Sequence, residues 1–167
     1  LAANDLAGAD AALASLGASP RAELLRARVR QGQGRNDEAR MLYERAASDP
    51  GVGAEARTRE GELLVAMGRP RDARLVLEQA LHASPSDAHL AELFVRVAVE
   101  TGDLAAAAAA LAPALAANPT SSALHAAHAR ILLGQGHAAE ALTELRTAAT
   151  AAPTDAGIQS ALAEAAY

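Results

Sequence analysis

The amino-acid sequence predicts an all-α protein built from paired helices, and three observations support this fold class. Alanine, the strongest helix former, accounts for 48 of the 167 residues. Only 2% of the residues are aromatic, which disfavours a sheet, because strands prefer β-branched and aromatic residues. Glycine, proline and alanine also recur with a constant period of 34 residues, which is long enough for two helices and their turns.

Turn residues mark the ends of each predicted helix pair. Glycine often follows the last residue of a helix, and proline prevents a helix from continuing. Each period is therefore expected to hold a first helix that ends at the glycine and a second helix that ends before the proline. The glycines are Gly68, Gly102 and Gly136, and each lies 17 residues before its own proline, which is Pro85, Pro119 or Pro153.

The second helix of each period repeats alanine, leucine and alanine in register, and the small alanines allow two helices to approach closely. Ser86, Thr120 and Thr154 follow the prolines and are the expected N-caps of the next helices. Pro113 is expected to kink its helix or to divide it near Ala109. The recurring residues are Ala73, Leu77 and Ala80, then Ala107, Leu111 and Ala114, then Ala141, Leu145 and Ala148.

Together these features resemble the tetratricopeptide repeat (TPR) family, whose unit is a helix–turn–helix of the same length. The sequence departs from the family where a first-helix tryptophan is replaced by Arg57, Ala91 and His125. The resemblance implies a right-handed α-α superhelix, a solenoid of antiparallel helix pairs with about ten helices. In the unit at 54–87, the family's characteristic places are occupied by Gly68, Asp72, Ala73, Leu77, Ala80, Leu81 and Pro85.

We interpret residues 1–167 as a single TPR array. The ends of a solenoid need a polar outer face, and neither end here supplies one, so we expect the chain to be part of a longer protein. The array divides into a half repeat at 1–18, an irregular repeat at 19–53, full repeats at 54–87, 88–121 and 122–155, and a terminal helix at 156–167.

In this family the first helices line a concave groove, so the resemblance implies that their inward side chains contact a partner. Arg96 and Arg130 lie one period apart and are expected side by side, where two guanidinium groups suit a carboxylate or a phosphate. The alternative is that both are solvated or paired with Glu62, Glu92 or Glu100. The predicted partner-binding residues are Glu55, Thr58, Glu62, His89, Glu92, Arg96, Arg130 and Leu133, with Val65, Val99, Ala123 and Ala126 beside them.

Charge is unevenly distributed along the chain, whose formal net charge is -5. Residues 1–74 hold 12 arginines against 11 acidic residues, whereas residues 75–167 hold 3 against 9. The arginine-rich stretch at 21–45 is either a docking patch for an acidic partner or for nucleic acid, or an ordinary solvated surface. We favour the solvated surface, because acidic residues interleave with the arginines and no aromatic platform accompanies them. Nucleic-acid binding is not predicted, because the net charge is negative. Membrane insertion is not predicted either, because no apolar run approaches the ~20 residues of a membrane helix.

The sequence offers no group of residues suited to catalysis. It lacks cysteine and any glycine-rich phosphate loop, and its carboxylates are scattered over helix surfaces. His125 and His128 have a spacing that allows a shared metal ion, but a third ligand is missing, so we expect packing roles for both. Tyr43, Phe94, Met41 and Met67 are likewise expected to be packing residues. No enzymatic activity, cofactor or metal is therefore predicted.

The predicted function is a non-catalytic scaffold that binds a peptide, a helix or a partner domain in its groove, with an acidic or carboxylate-bearing partner as one option. By analogy, such arrays serve bacterial envelope assemblies for pilus biogenesis or exopolysaccharide secretion. One alternative is the substrate-recruiting arm of a multidomain enzyme such as a transferase. Another is self-assembly into homo-oligomers through exposed repeat edges. The cellular compartment, cytoplasm or periplasm, stays open.

Overall fold

A computed structural model describes residue 17 and residues 19–165, and within these it contains nine α-helices and no strand. The predicted all-α fold is therefore confirmed. The predicted half repeat at 1–18 lies outside the described residues apart from Gly17, as do the last two residues of the predicted terminal helix. The helices are α1 (Pro20–Gly32), α2 (Asn36–Ala46), α3 (Gly53–Ala66), α4 (Pro70–Ala83), α5 (Ala88–Glu100), α6 (Leu104–Ala117), α7 (Ser122–Gly134), α8 (Ala138–Ala151) and α9 (Ala156–Ala165).

The chain forms two compact units, Leu1–Ala83 and Ser84–Tyr167, called the N-terminal unit and the C-terminal unit below. In the N-terminal unit α1 packs against α2, α3 packs against α4, and α2 also contacts α3. In the C-terminal unit α5 pairs with α6 and α7 pairs with α8, while α9 packs on α8. The first helices α5 and α7 also contact each other.

Glycines end the first helices, as the sequence predicts. Gly68 adopts a left-handed conformation with φ of 70°, which costs glycine little because it has no Cβ. Its N–H donates to the carbonyl of Val65 at 3.0 Å, and the N–H of Arg69 donates to the carbonyl of Leu64 at 2.9 Å. These two bonds form a Schellman motif, which satisfies carbonyls that the helix end leaves free. Gly102 and Gly136 have the same conformation at the equivalent places.

The predicted N-caps are wrong by one residue. The caps are Asp87 and Ser121 rather than Ser86 and Thr120, and the Asp155 carboxylate plays this part before α9 instead of Thr154. The residue after each proline lies in the turn itself, and the chain becomes extended only at the following position, where φ and ψ of Asp87 are -69° and 114°. From there the Asp87 carboxylate accepts the N–H of Leu90 at 2.9 Å.

The second helices carry the predicted small-residue core. All of their recurring alanines are fully buried, and the recurring leucines are 0–3% exposed. Burying each leucine contributes about 1.5–3 kcal/mol to folding. Pro113 does not divide α6, which runs without a break from Leu104 to Ala117. Both Pro113 and Ala109 are exposed, so water can satisfy the carbonyl that lacks its usual N–H donor.

The expected packing roles hold for three of four large side chains. Tyr43 and Phe94 are 0% and 2% exposed, and Met67 packs against the core of the N-terminal unit. Met41 is 56% exposed, so its predicted packing role is wrong. The inward face of α2 is formed by residues 39, 43 and 46, and this helical spacing places residue 41 on the opposite face.

No described helix is both long enough and apolar enough to cross a membrane.

Candidate partner-binding site

An open pocket of about 210 Å³ lies on the first-helix side of the C-terminal unit. It brings together Glu92, Arg130 and Leu133, three of the residues that the sequence predicts for partner binding. Their predicted neighbours Ala123 and Ala126 line the same pocket. The full lining consists of Glu92 of α5, Ser122, Ala123, Ala126, Ala129, Arg130 and Leu133 of α7, Leu145 of α8, and Asp155, Gly157, Ile158 and Ala161 around α9.

Small side chains create the space of this pocket. Ala126 occupies the repeat place that Glu92 holds in α5 and Thr58 holds in α3, so α7 presents a methyl group where its neighbours present longer side chains. Gly157 of α9 adds no side chain at all on the facing helix. The buried residues Leu145 and Ile158 form an apolar floor. The pocket therefore offers room for a partner's side chain over an apolar surface.

Charged groups at the rim of the pocket remain available to a partner. Glu92 is half-buried and Arg130 is exposed, and in the part of the chain that the structure describes neither forms an ion pair. Arg96 on the adjacent helix is also exposed, and within the same residues it is not paired with Glu92 or Glu100. The Asp155 carboxylate is already engaged, since it accepts the N–H groups of Gly157 and Ile158 at 2.9 and 3.0 Å.

Two predicted residues of the C-terminal unit are exposed at the surface. His89 lies near the start of α5, outside the pocket lining, and Leu133 of the pocket is 44% exposed at the end of α7. Leu133 is one of three large apolar side chains with substantial exposure among the described residues, and it stands at the edge of the pocket. An exposed leucine beside an apolar floor is suited to contact with a partner.

The predicted residues of the N-terminal unit mostly have partners inside the unit. The Thr58 hydroxyl donates to the carbonyl of Ala54 at 2.9 Å, and the Glu62 carboxylate lies 3.0 Å from the Arg59 guanidinium. Glu55 is exposed on α3. That these three side chains contact a partner stays a prediction.

Tyr43 lies at the centre of a polar cluster that the sequence did not predict. Its hydroxyl donates to the Gln31 side-chain carbonyl at 2.8 Å. Burial raises the pKa of Tyr43 to about 12, although the nearby Arg59 and Arg28 guanidiniums oppose the shift. Periodicity gives no signal for this cluster, because Gln31 belongs to the irregular repeat. The tyrosine therefore stays neutral and acts as a hydrogen-bond donor between α2 and α1.

His125 and His128 both approach the Glu144 carboxylate of α8. His125 Nδ1 lies 2.7 Å from Glu144 Oε2, and its Nε2 lies 3.0 Å from the Pro119 carbonyl oxygen. His128 Nδ1 lies 3.2 Å from Glu144 Oε1 but lacks the orientation of a hydrogen bond, so that contact is electrostatic. No group of three or more His, Asp or Glu residues within the described range is arranged to hold a metal ion. These contacts join α7 to α8, and we call the group of His125, His128 and Glu144 the histidine clip.

Hydrogen bonding determines the charge of His125. Burial lowers the pKa of this imidazole, but the hydrogen bond to Glu144, the Pro119 carbonyl and the Glu144 charge together outweigh burial, so its pKa is raised. Both ring nitrogens face acceptors, and only the imidazolium has two N–H groups to donate. The protonated form is therefore the one that satisfies both contacts.

The arginine-rich stretch is largely engaged in ion pairs. Arg35 lies 2.6 Å and Arg30 lies 3.5 Å from the Glu38 carboxylate. Arg45 lies 3.0 Å from Glu23, which joins α2 to α1. These internal pairs favour a solvated, self-neutralised surface over a docking patch.

Comparisons with known proteins agree with this architecture. The family profile of the tetratricopeptide repeat matches residues 30–96 and 98–165. No curated protein matches the sequence.

Solved structures resemble the fold at low sequence identity. TTC0263, a TPR protein of Thermus thermophilus, is 24% identical, with a TM-score of 0.72 over 96% of this chain and 88% of that one. YrrB, described as a TPR protein with an unusual peptide-binding site, is 21% identical, with a TM-score of 0.75 over 97% and 82%. MamA from Desulfovibrio magneticus RS-1 is 15% identical, with a TM-score of 0.75 over 89% and 84%. The repeat register, the helix pairs and the profile match together show that the chain belongs to the tetratricopeptide repeat family.

Proposed function

We propose that this chain is a non-catalytic scaffold that binds a peptide, a helix or a partner domain at the pocket of the C-terminal unit. The observation that carries the proposal is an open pocket with an apolar floor whose rim holds Glu92 and Arg130 without internal ion pairs among the described residues. Unpaired charges around an apolar depression provide both affinity and orientation for a partner. The peptide-binding site named for YrrB supports this function by analogy of fold.

Arg130 and Arg96 are proposed to contact a carboxylate of the partner. They occupy the same repeat place on helices that contact each other, and both are exposed. A guanidinium group binds a carboxylate through two parallel hydrogen bonds, which gives the contact direction as well as strength. Reversing both charges in the double variant R96E with R130E is expected to weaken binding of the partner by at least about tenfold, or ~1.4 kcal/mol.

The pocket holds a serine, but its surroundings support a binding role rather than catalysis. Ser122 lines the pocket and lies three residues before His125 on α7. The Nε2 atom of that histidine faces the Pro119 carbonyl, and its Nδ1 faces Glu144. The imidazole is thus held away from the role of a general base for the serine, which requires a hydrogen bond between the two.

A bacterial envelope assembly is the proposed setting, on analogy alone. The complete gene tests this setting, since a catalytic domain on the same chain would instead indicate the recruiting arm of an enzyme.

Site-specific photo-crosslinking in the full-length protein tests the proposed site. A photoreactive residue replaces Ala126 in the pocket or, as a control in the same unit, the exposed Ala108 of α6. We expect a defined partner to be crosslinked from position 126 and not from position 108, and the crosslink to be lost in R130E. Equal crosslinking from both positions, or none from position 126, would contradict the site.

Measured affinities then separate the pocket from general charge effects. R130E reverses a charge at the rim, whereas R146E reverses an exposed charge on α8, outside the pocket. The identified partner is expected to bind R146E with a dissociation constant within about twofold of that for the unchanged protein, since surface charges far from the rim contribute little. Equal losses for the two variants would show that net charge, not the pocket, drives binding.

A further inference from the structure

A second surface of the molecule carries a pattern that the proposed function does not use. Met41 and Leu75 are 56% and 54% exposed, which makes them the two most exposed large apolar side chains in the described part of the chain. Scattered exposed apolar residues are common in proteins. These two, however, lie one full period apart and hold the same repeat place on α2 and α4. In the C-terminal unit that place is held by Ala109 and Thr143, so the exposed apolar pair is confined to the N-terminal unit.

Opposite charges accompany the apolar pair at matching positions. Asp37 lies one helical turn before Met41, and Arg71 lies one turn before Leu75, so this second pair also shares one repeat place. Both charged side chains are exposed, and neither forms an ion pair with any described residue. We call the surface formed by Asp37, Met41, Arg71 and Leu75 the outer face.

The repeat makes the outer face complementary to itself. Helices α2 and α4 are equivalent second helices that both pack against α3, so the repeat predicts that they run in the same direction. A two-fold axis that runs between them, parallel to both, would set α2 of one copy against α4 of a second copy at the same height. Met41 then faces Leu75 of the second copy, and Asp37 faces Arg71, and each contact occurs twice.

We propose that the outer face binds a second copy of this chain and forms a two-fold dimer. This surface differs from the repeat edges considered from the sequence and from the pocket of the C-terminal unit. The charge pair selects this arrangement over a parallel one that sets α2 against α2, since the latter brings Asp37 against Asp37. Glu44 and Glu78 hold the next shared repeat place and would face each other, a like-charge contact that Arg40, 3.4 Å from the Glu44 carboxylate, offsets in part.

The size of the outer face sets the expected strength of the dimer. Two helices of these lengths, each about 10 Å wide, present about 400 Å² per copy. Stable complexes bury about 800 Å² per partner, so the dimer is expected to be weak, with a dissociation constant on the order of 10–100 μM.

Sedimentation equilibrium of the full chain between micromolar and millimolar concentration tests the proposal. We expect the unchanged protein to form dimers, and M41E with L75E to stay monomeric with unchanged helical circular dichroism. A109E with T143E, which places the same two charges at the equivalent exposed repeat places of the C-terminal unit, is the matched control and is expected to leave the dissociation constant within about twofold. A monomer at millimolar concentration, or equal loss in A109E with T143E, would overturn the proposal.

A charge swap tests the orientation without touching the apolar residues. D37R alone sets Arg against Arg71 of the second copy, and R71D alone sets Asp against Asp37, so each is expected to weaken the dimer at least about fivefold. The double variant D37R with R71D restores opposite charges and is expected to return the dissociation constant to within about twofold of the original. Failure of the double variant to recover dimerisation would exclude the two-fold arrangement.

Discussion

The two units share one repeat pattern but use their charged side chains differently. The N-terminal unit holds 12 of the 15 arginines with 12 acidic residues, and it joins them in pairs such as Arg45 with Glu23 and Arg59 with Glu62. The C-terminal unit holds 3 arginines, 8 acidic residues and four of the five histidines. There the Glu144 and Glu140 carboxylates lie against histidines, while Arg96, Arg130 and Glu92 stay unpaired among the described residues.

This difference separates the structural use of charge from its use in binding. A charge already paired inside a unit has little to gain from a partner, whereas an unpaired charge beside an apolar pocket can gain a new contact. The comparison thus supports the proposal that a partner binds the C-terminal unit. The histidine contribution to pH dependence is also expected mainly in that unit, because four of the five histidines lie there.

The largest expected effect on stability is a methyl group added where the helices of the N-terminal unit meet. In G61A the new Cβ would contact the side chain of Leu77, which is fully buried and cannot move aside. We expect a loss of about 1–3 kcal/mol in the free energy of unfolding, measured by urea denaturation.

G134A is the matched control in the C-terminal unit. Its Cβ would lie 2.9 Å from Leu104 Cδ2, the end of a half-buried and adjustable side chain. The gain of about 0.5–1 kcal/mol from replacing a helical glycine is expected to offset this contact, so stability should not fall. A larger loss for G134A than for G61A would show that the first and second helices do not pack as described.

The next effect is the pH dependence of the histidine clip. The pKa of His125 is raised in the folded protein, so its contribution is fully present below the pKa of the unfolded chain and is lost as pH rises through the folded pKa. H125Q is expected to lose about 1–2 kcal/mol at pH 6 and less at pH 8, measured by thermal unfolding. A loss in H125Q that is the same at pH 6 and pH 8 would contradict a charged imidazolium at this position.

The smallest effect concerns a buried carboxylate in the N-terminal unit. Glu60 is 6% exposed, and burial, reinforced by Glu44, raises its pKa against the opposing Arg40 and Arg57. The protonated form is favoured on folding, so stability is lost as pH rises through the folded pKa. E60Q is expected to gain about 1 kcal/mol at pH 7 and nothing at pH 4, measured by urea denaturation. A loss at pH 7 would instead mean that the Arg40 contact, at 3.9 Å, is a net stabilising ion pair.

Regular spacing explains which parts of the fold could be predicted from the sequence. Gly68 and its equivalents mark the helix ends because their conformation excludes most other residues, and Ala73 and Leu77 recur because each repeat meets the same neighbour. Local chemistry is less regular. The N-caps lie one residue beyond the predicted positions, since proline determines where the turn begins but not where the chain becomes extended.

The binding pocket and the histidine clip were only partly predictable, because both depend on contacts between helices. The predicted positions of Glu92, Arg130 and Leu133 lie together at the pocket, but Gly157 and Ala161 of α9, which also line it, lie outside the predicted set. His125 is separated from Glu144 by 19 residues, and no repeat place predicts that contact. The exposure of Met41 was missed because hydrophobicity alone does not say which face of a helix is buried.

The most direct test compares one repeat place in the two units. Thr58 of the N-terminal unit and Ala126 of the C-terminal unit are equivalent residues on first helices. A leucine at position 126 would fill the pocket, whereas a leucine at position 58 would lie among groups that are already paired. Isothermal titration calorimetry uses the partner that the crosslinking experiment identifies. We expect at least about tenfold weaker binding to A126L, and a dissociation constant for T58L within about twofold of that for the unchanged protein. Weaker binding to T58L than to A126L would contradict the assignment of partner binding to the C-terminal unit.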